Sequence, residues 1–258
     1  DSNTTDDVDK YALPAEDRSQ LLATIKPLLD VNANIPENSF CSHPAAVITL
    51  DTGDAKPVYV PQYRVSDFMS RFIDIQIDKW DRSSVTIPAP PDSPWNSPII
   101  GALDRAAKRK GKDPRVCIDP RHINNLLSDD PRPLPNVGSV HRTLAGFTHI
   151  TEIDLTKSFN QFKVHPDSQV KTTFTWKGQK RMFQGAPFGL KPLSQIFQSV
   201  IEQILHDSRA FATPFIDNIY VHTSGSLQDH IDAVKKVLQL LNDNNLRINM
   251  DKCFFGYT

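Results

Sequence analysis

The sequence predicts an α+β fold whose C-terminal half closes into a ferredoxin-like sheet. From residue 150 onward the apolar patterning reads strand, helix, hairpin, helix, strand, which is the order of a split βαβ unit. That layout sets its central strands side by side. A lone carboxylate ends one of them, in Glu152-Ile153-Asp154-Leu155, and another sits in the turn beside it, in Phe215-Ile216-Asp217-Asn218. Two proline-rich passages, residues 88–98 and 131–135, keep parts of the first half extended and free of helix.

In chain order, residues 15–29 have helical spacing at Leu21, Leu22, Ile25, Leu28 and Leu29, with Asp30-Val31-Asn32 as the expected stop. Residues 45–50 alternate as a strand does. Residues 66–80 place Phe68, Met69, Phe72, Ile73 and Ile77 along a second amphipathic helix. Residues 98–103 and 115–118 read as two strands around a basic loop. A helix is expected over 138–145, then strands over 150–155 and 162–165 with a short turn or helix between them. Residues 172–176 and 179–183 form a hairpin around Lys177-Gly178. Pro192 suits the first turn of a helix running to 206. Residues 210–214 and 219–221 form a hairpin with Asp217-Asn218 at its tip. Residues 227–242 align Leu227, Ile231, Val234, Leu238 and Leu241 on one helix face, and 246–250 and 253–255 close as strand.

A chain of 258 residues is long enough for one large domain or two interlocked ones. Its formal net charge of −1 gives no global basic field, so nucleic-acid binding has to come from local patches. Cys41, Cys117 and Cys253 are odd in number and far apart, which argues against a disulfide framework and a zinc site. That usage suits a reducing, intracellular compartment rather than secretion. No apolar run approaches the roughly 18–20 residues of a membrane span, so no membrane partner is expected. The polar start, Asp1 to Asp9, reads as a cut from a longer polyprotein or an artificial boundary.

Taken alone, Asp217-Asn218 is ordinary hairpin-turn chemistry, and Asp154 could cap the element after it. Brought together, two strand-borne carboxylates are what a pair of Mg²⁺ ions needs to carry a nucleoside triphosphate. The surrounding residues form a series of motifs. Asp154-Leu155-Thr156-Lys157-Ser158-Phe159-Asn160-Gln161 resembles Asp-Leu-x-x-Gly-Tyr-x-Gln, and Ala186-Pro187-Phe188-Gly189-Leu190 resembles Met-Pro-Phe-Gly-Leu. Ile196-Phe197-Gln198 matches Thr-Phe-Gln, and Pro94-Trp95-Asn96-Ser97-Pro98 matches Ser-Pro-Trp-x-Ser-Pro. Arg115 to Asn124 matches Arg-x-Cys-x-Asp-x-Arg-x-Leu-Asn, Arg132-Pro133-Leu134-Pro135 matches Tyr-Pro-Leu-Pro, and Leu246 to Cys253 matches Leu-x-Leu-Asn followed by Lys-Cys. In this order and spacing, from about Gln62 to the end, the chain resembles gypsy-type LTR retrotransposon and retroviral reverse transcriptases. In that family an aromatic-x-Asp-Asp turn faces an Asp on the neighbouring strand.

The resemblance implies RNA-directed DNA polymerisation by two-metal nucleotidyl transfer, within a retroelement polyprotein. It implies the fingers and palm of a right-hand polymerase with no thumb. An N-terminal segment would cover 1–41, fingers 42–130 and 155–191, and palm 131–154 and 192–258. Asp154 and Asp217, with the Leu155 carbonyl, would hold Mg²⁺ or Mn²⁺, and Asn218 occupies the third catalytic position. Phe159 would be the aromatic plate beneath the incoming sugar, selecting deoxynucleotides; its bland alternative is a core Phe. Phe188 would pack against the nucleotide, and Gly189 would let backbone approach it. Arg115 would reach the α-phosphate. Lys110 would reach the γ-phosphate, an assignment shared with Lys108 and Lys112. Arg105, Lys108, Arg109, Lys110 and Lys112, with Phe215, are the expected nucleic-acid contacts; read alone, that charge run is a solvated loop. The implied partners are an RNA or DNA template-primer and deoxynucleoside triphosphates, with a homodimer left open, in a cytoplasmic particle or the nucleus.

Several residues depart from the family pattern. Asn218 is uncharged where the family has a carboxylate, and Phe215 replaces the more usual Tyr. Lys191-Pro192-Leu193-Ser194 replaces Thr-Asn-Ala-Pro, and Pro114 stands where a Trp often precedes the Arg. The chain stops at Thr258, before the family's primer-gripping hairpin, thumb and ribonuclease H. These departures carry a second reading: a catalytically inactive reverse-transcriptase-like module serving as a nucleic-acid-binding or dimerising subunit. A third, a ferredoxin-like cyclase or RNA-binding sheet, has no use for proline-flanked fingers.

Overall fold

A computed structural model describes residues 12–102 and 113–257. The first elements are α1 (Ala15–Ala33), β1 (Val47–Ile48), α2 (Asp67–Arg82), β2 (Thr86–Pro88), β3 (Ile99–Ala102) and β4 (Arg115–Ile118). Next come α3 (Arg121–Asn124), α4 (Val137–Leu144), β5 (His149–Asp154), β6 (Lys163–Val164), α5 (Pro166–Gln169), β7 (Phe174–Trp176) and β8 (Gln179–Phe183). Then follow α6 (Leu193–Ile204), β9 (Ala212–Phe215), β10 (Asn218–Thr223), α7 (Leu227–Asp243) and β11 (Phe254–Tyr257). The chain divides into two compact units.

The first unit takes the described parts of Asp1–Ala45, Arg132–Ser158 and Phe197–Thr258. Its four-stranded sheet has the order β11-β5-β10-β9 with every neighbouring pair antiparallel, which is the ferredoxin-like arrangement. Period-two alternation builds it: Ile153, Ile219 and Val221 are fully buried, while Glu152, Asp154, Asn218 and Tyr220 between them are half-buried. Ser226 starts α7 with a reciprocal capping box to Asp229, and Ile231, Val234, Val237, Leu238 and Leu241 form its buried stripe. That helix packs on β5, β10 and α1.

Away from the β9–β10 hairpin, two expectations in this unit are corrected. Helix α1 does not stop at Asp30-Val31-Asn32 but runs to Ala33. The reason is tertiary: the buried Asn32 amide donates to Asn242 Oδ1 (2.7 Å) and the Leu246 carbonyl (2.8 Å), and Asn32 Oδ1 accepts from the Ile248 N–H (2.9 Å). The strand expected over 246–250 reduces to one bridge, Ile248 to Leu155, and Met250–Lys252 turns as a 3₁₀ helix before β11.

The second unit takes the described parts of Ala46–Pro131 and Phe159–Ile196. It contains the antiparallel sheet β2-β8-β7, the antiparallel pair β3–β4 and the parallel pair β1–β6. Ser66 caps α2 by accepting the Met69 N–H, and Ile73, Ile77 and Trp80 from that helix meet Ile99, Ile118, Phe174 and Phe183 in one core. Trp80 packs edge-to-face on Phe183 with ring centroids 5.0 Å apart. The alternation over 45–50 survives in burial, with Ala46, Ile48 and Leu50 inside, although only Val47–Ile48 pair as strand. Residues 103–112, with Arg105, Lys108, Arg109, Lys110 and Lys112, lie outside the described residues.

Candidate active site

β5 ends on Asp154 and β10 begins on Asn218, and the two are directly opposed; two residues along, Glu152 opposes Tyr220. Asn218 also opposes Phe215 on β9. The hairpin tip is therefore Ile216-Asp217, one residue earlier than expected, and Asn218 is a strand residue. Of the two tip residues only Ile216 has a positive φ (+50°), the signature of a type II′ turn, which ordinarily takes Gly there. A β-branched side chain in that region is strained. Gln198 on α6 holds it in place: its Oε1 accepts the Ile216 N–H (2.8 Å) and its Nε2 donates to the Pro214 carbonyl (3.0 Å).

This turn delivers Asp217 to the end of β5. The Leu155 N–H donates to the Asp217 carbonyl (3.0 Å), and the Ser158 hydroxyl donates to the Asp217 carboxylate. Asp154 is held by its backbone, with the Asn249 N–H donating to its carbonyl (2.8 Å) and its own N–H directed at Cys253 Sγ (3.4 Å). Burial, foremost, pushes the Cys253 thiol up to about 11, so it stays protonated near neutral pH. Lys252 Nζ lies 3.7 Å from Asp154 Oδ2. Asn218 Nδ2 donates to Glu152 Oε1 (2.8 Å), and the Tyr220 hydroxyl donates to the same oxygen (3.3 Å). Burial, and then the Asp154 charge, raise the Glu152 carboxyl above its ordinary range; burial likewise raises the Tyr220 hydroxyl.

The structure thus brings Asp154, Asp217, Asn218 and Leu155 to one sheet end, with Phe215 closing β9 beside them. Glu152, Tyr220, Gln198 and Lys252 escaped the sequence reading as site residues. Glu152 and Tyr220 were recoverable, because a strand returns to the same face every second residue. The groups there that offer oxygen toward a cation are the Asp154 and Asp217 carboxylates and the Asn218 amide. That set fits Mg²⁺, which binds through one or two carboxylates and keeps its other positions for water and substrate phosphates. Among the described residues no three His, Cys, Asp or Glu side chains gather as a metal cage.

In the second unit, Phe159 is buried and meets the half-exposed Phe188 edge-on at 5.2 Å. Gly189 has φ +91°, and a Cβ there would stand 2.9 Å from Pro120 Cγ, so glycine is required. The Asn124 amide brackets this turn, donating to the Gly189 carbonyl (2.8 Å) and accepting the Lys191 N–H (2.9 Å). Arg115 is exposed and opens β4 opposite Ala102.

A family model described as reverse transcriptase (RNA-dependent DNA polymerase) matches residues 107–257. The chain belongs to the reverse transcriptase family. Among curated relatives, the retrovirus-related Pol polyprotein from transposon 297 of Drosophila melanogaster is 28% identical over 80% of this chain and 19% of its own length. The corresponding polyprotein from transposon gypsy of the same organism is 26% identical over 96% of this chain and 24% of its own. The chain therefore spans about a fifth to a quarter of these relatives. The structure of the foamy viral protease-reverse transcriptase in complex with an RNA/DNA hybrid shares the fold, with a TM-score of 0.80 at 21% identity. The match covers 96% of this chain and 32% of that one. The fingers-and-palm fold of a right-hand polymerase is thus established, with the ferredoxin-like sheet as its carboxylate-bearing part.

Proposed function

We propose that the chain is the RNA-directed DNA polymerase segment of a gypsy-type retroelement polyprotein, working on deoxynucleoside triphosphates and an RNA or DNA template-primer. The observation that carries this reading is the register that opposes Asp154 to Asn218 and sets Asp217 in the adjoining turn. Bound Mg²⁺ or Mn²⁺ would neutralise the triphosphate and activate the primer 3′ hydroxyl. Asp154 and Asp217 would hold the ions, with the Leu155 carbonyl beside them. Ser158 and Gln198 keep the turn and its carboxylate in place. Arg115 and Lys110 would meet phosphates, while Phe159, Phe188 and Gly189 would form the nucleotide-facing surface of the second unit. The basic residues Arg105, Lys108, Arg109, Lys110 and Lys112, with Phe215, would contact nucleic acid. The unit bearing β5 and β10 would be the palm and the other the fingers. Cys41, Cys117 and Cys253 are free thiols, which suits the proposed intracellular location.

One observation favours the inactive, nucleic-acid-binding reading instead. The Lys252 ammonium already stands 3.7 Å from Asp154 Oδ2, where a metal ion would otherwise bind. Primer extension in Mn²⁺ and in Mg²⁺ by the chain, by Asn218→Asp and by Asp154→Asn separates the two. Slow extension that Asn218→Asp speeds and Asp154→Asn abolishes supports the polymerase. Template-primer binding with no extension by any of the three supports the inactive module.

A further inference from the structure

An asparagine beside a cation site poses a problem that a carboxylate does not, since its amide has one end that binds cations and one that repels them. Which end faces the site depends on what holds the other. Asn218 is opposed to Asp154, and its Nδ2 donates to Glu152 Oε1 at 2.8 Å. Only the NH₂ end can face a carboxylate at that distance. Tyr220 reinforces the choice: its hydroxyl donates to the same Glu152 oxygen (3.3 Å) and lies 3.5 Å from Nδ2. Among the described residues, Asn218 Oδ1 takes part in no hydrogen bond, so it is the end left for a ligand. Glu152 reaches this position because it lies two residues before Asp154, on the same sheet face.

We propose that Glu152 is a positioning residue that holds Asn218 by its amide nitrogen and so makes its carbonyl oxygen a cation ligand beside Asp154. The inference rests on the metal reading of Asp154 and Asp217 given above. It makes Asn218 a working, neutral replacement for a carboxylate, tuned by a neighbour on the adjacent strand.

The test is Mn²⁺ affinity, by calorimetry on the whole chain, for Glu152→Ala and Glu152→Gln, each with Asn218 and with Asn218→Asp. With Asn218 present, Glu152→Ala should weaken Mn²⁺ binding about tenfold, as loss of a ligand's supporting partner does. Glu152→Gln keeps an oxygen that accepts the same hydrogen bond and should stay within about twofold of wild type. With Asn218→Asp, Glu152→Ala should leave affinity within about twofold, because a carboxylate offers an oxygen at either end and needs no neighbour to orient it. Weakening by Glu152→Ala in both backgrounds would make Glu152 a ligand or a plain negative charge and overturn the proposal. Equal weakening by Gln and Ala would overturn it too. Independently of metal, the side-chain ¹⁵N–¹H₂ signals of Asn218 should be protected from exchange in wild type and unprotected in Glu152→Ala. Mn²⁺ binding that survives Asp154→Ala sinks the metal reading and this proposal with it. The amide signals distinguish that failure from a failure of Glu152 to hold Asn218.

Discussion

The two faces of the four-stranded sheet are made by the same strands and do opposite jobs. On the helix-covered face Ile153, Ile219 and Val221 are fully buried. Its polar members are closed as well: Thr151 Oγ1 lies 2.8 Å from His230 Nε2, and Thr223 Oγ1 lies 3.0 Å from His230 Nδ1. On the other face Asp154, Glu152, Asn218 and Tyr220 are half-buried and keep charge and oxygen donors at the surface. Residues 153 and 154 are neighbours in sequence, yet one is core and the other belongs to the candidate site. A substitution's consequence here is set by the parity of its position, not by its distance along the chain.

The largest expected effect lies on the open face. Asp154→Asn should lower metal-dependent primer extension by roughly 1,000-fold or more, since losing a unit charge beside a dication costs on the order of several kcal/mol at an effective dielectric near 20. Its stability to urea should barely move. Extension rates that survive the change would break the assignment of this face.

One residue away, Ile153→Ala should do the reverse. A fully buried isoleucine truncated to alanine costs about 2–5 kcal/mol, visible as a lower urea midpoint, while Glu152→Ala on the other face should cost well under half of that. Equal losses at 152 and 153 would abolish the contrast.

The closed face also makes stability depend on pH. Burial first, then the charges of His149 and His222, lower the His230 pKa from its ordinary 6.5 to about 4. The unfolded chain therefore binds this proton more readily than the folded one. Stability is complete above pH 6.5 and declines as pH falls toward 4, with about 2 kcal/mol lost by pH 5 from this group. Urea titrations at pH 7 and pH 5 should show that loss, and His230→Gln should flatten it. An unchanged pH slope in His230→Gln would assign the effect elsewhere.

The smallest effect sits where the faces meet, at the strained tip. Ile216→Gly should stabilise the chain by about 1 kcal/mol by relieving the positive φ, less whatever packing the side chain contributes. If extension slows while the urea midpoint rises, the strain serves to aim Asp217. A lower midpoint would show that the side chain matters more than its backbone.

Apolar spacing and proline placement made most of the fold legible in the sequence. Short apolar runs exposed β5 and β10, the helical stripe of α7 identified its buried face, and the ordered motifs from Pro94 to Cys253 carried the family. Asp154 and Asp217 were legible because each stands against an apolar run and inside a motif of the family. Local patterning could not decide which two residues form the hairpin tip, because Asp-Asn is good turn chemistry and Ile is poor. The structure puts Ile216 there instead, since opposing Asn218 to Asp154 satisfies the whole β5–β10 ladder and Gln198 supports the strained turn. Nor could it foresee that Asn32 extends α1, or that Glu152 takes the amide of Asn218. Their partners lie far away in sequence, at 242–248 for Asn32 and at 218 for Glu152. By itself the sequence determined most of the elements and the two carboxylates, because these follow from side-chain patterning along one strand or helix. Only the tertiary structure decided the register of the turn and the orientation of Asn218, because both depend on hydrogen bonds between strands that the chain must first bring together.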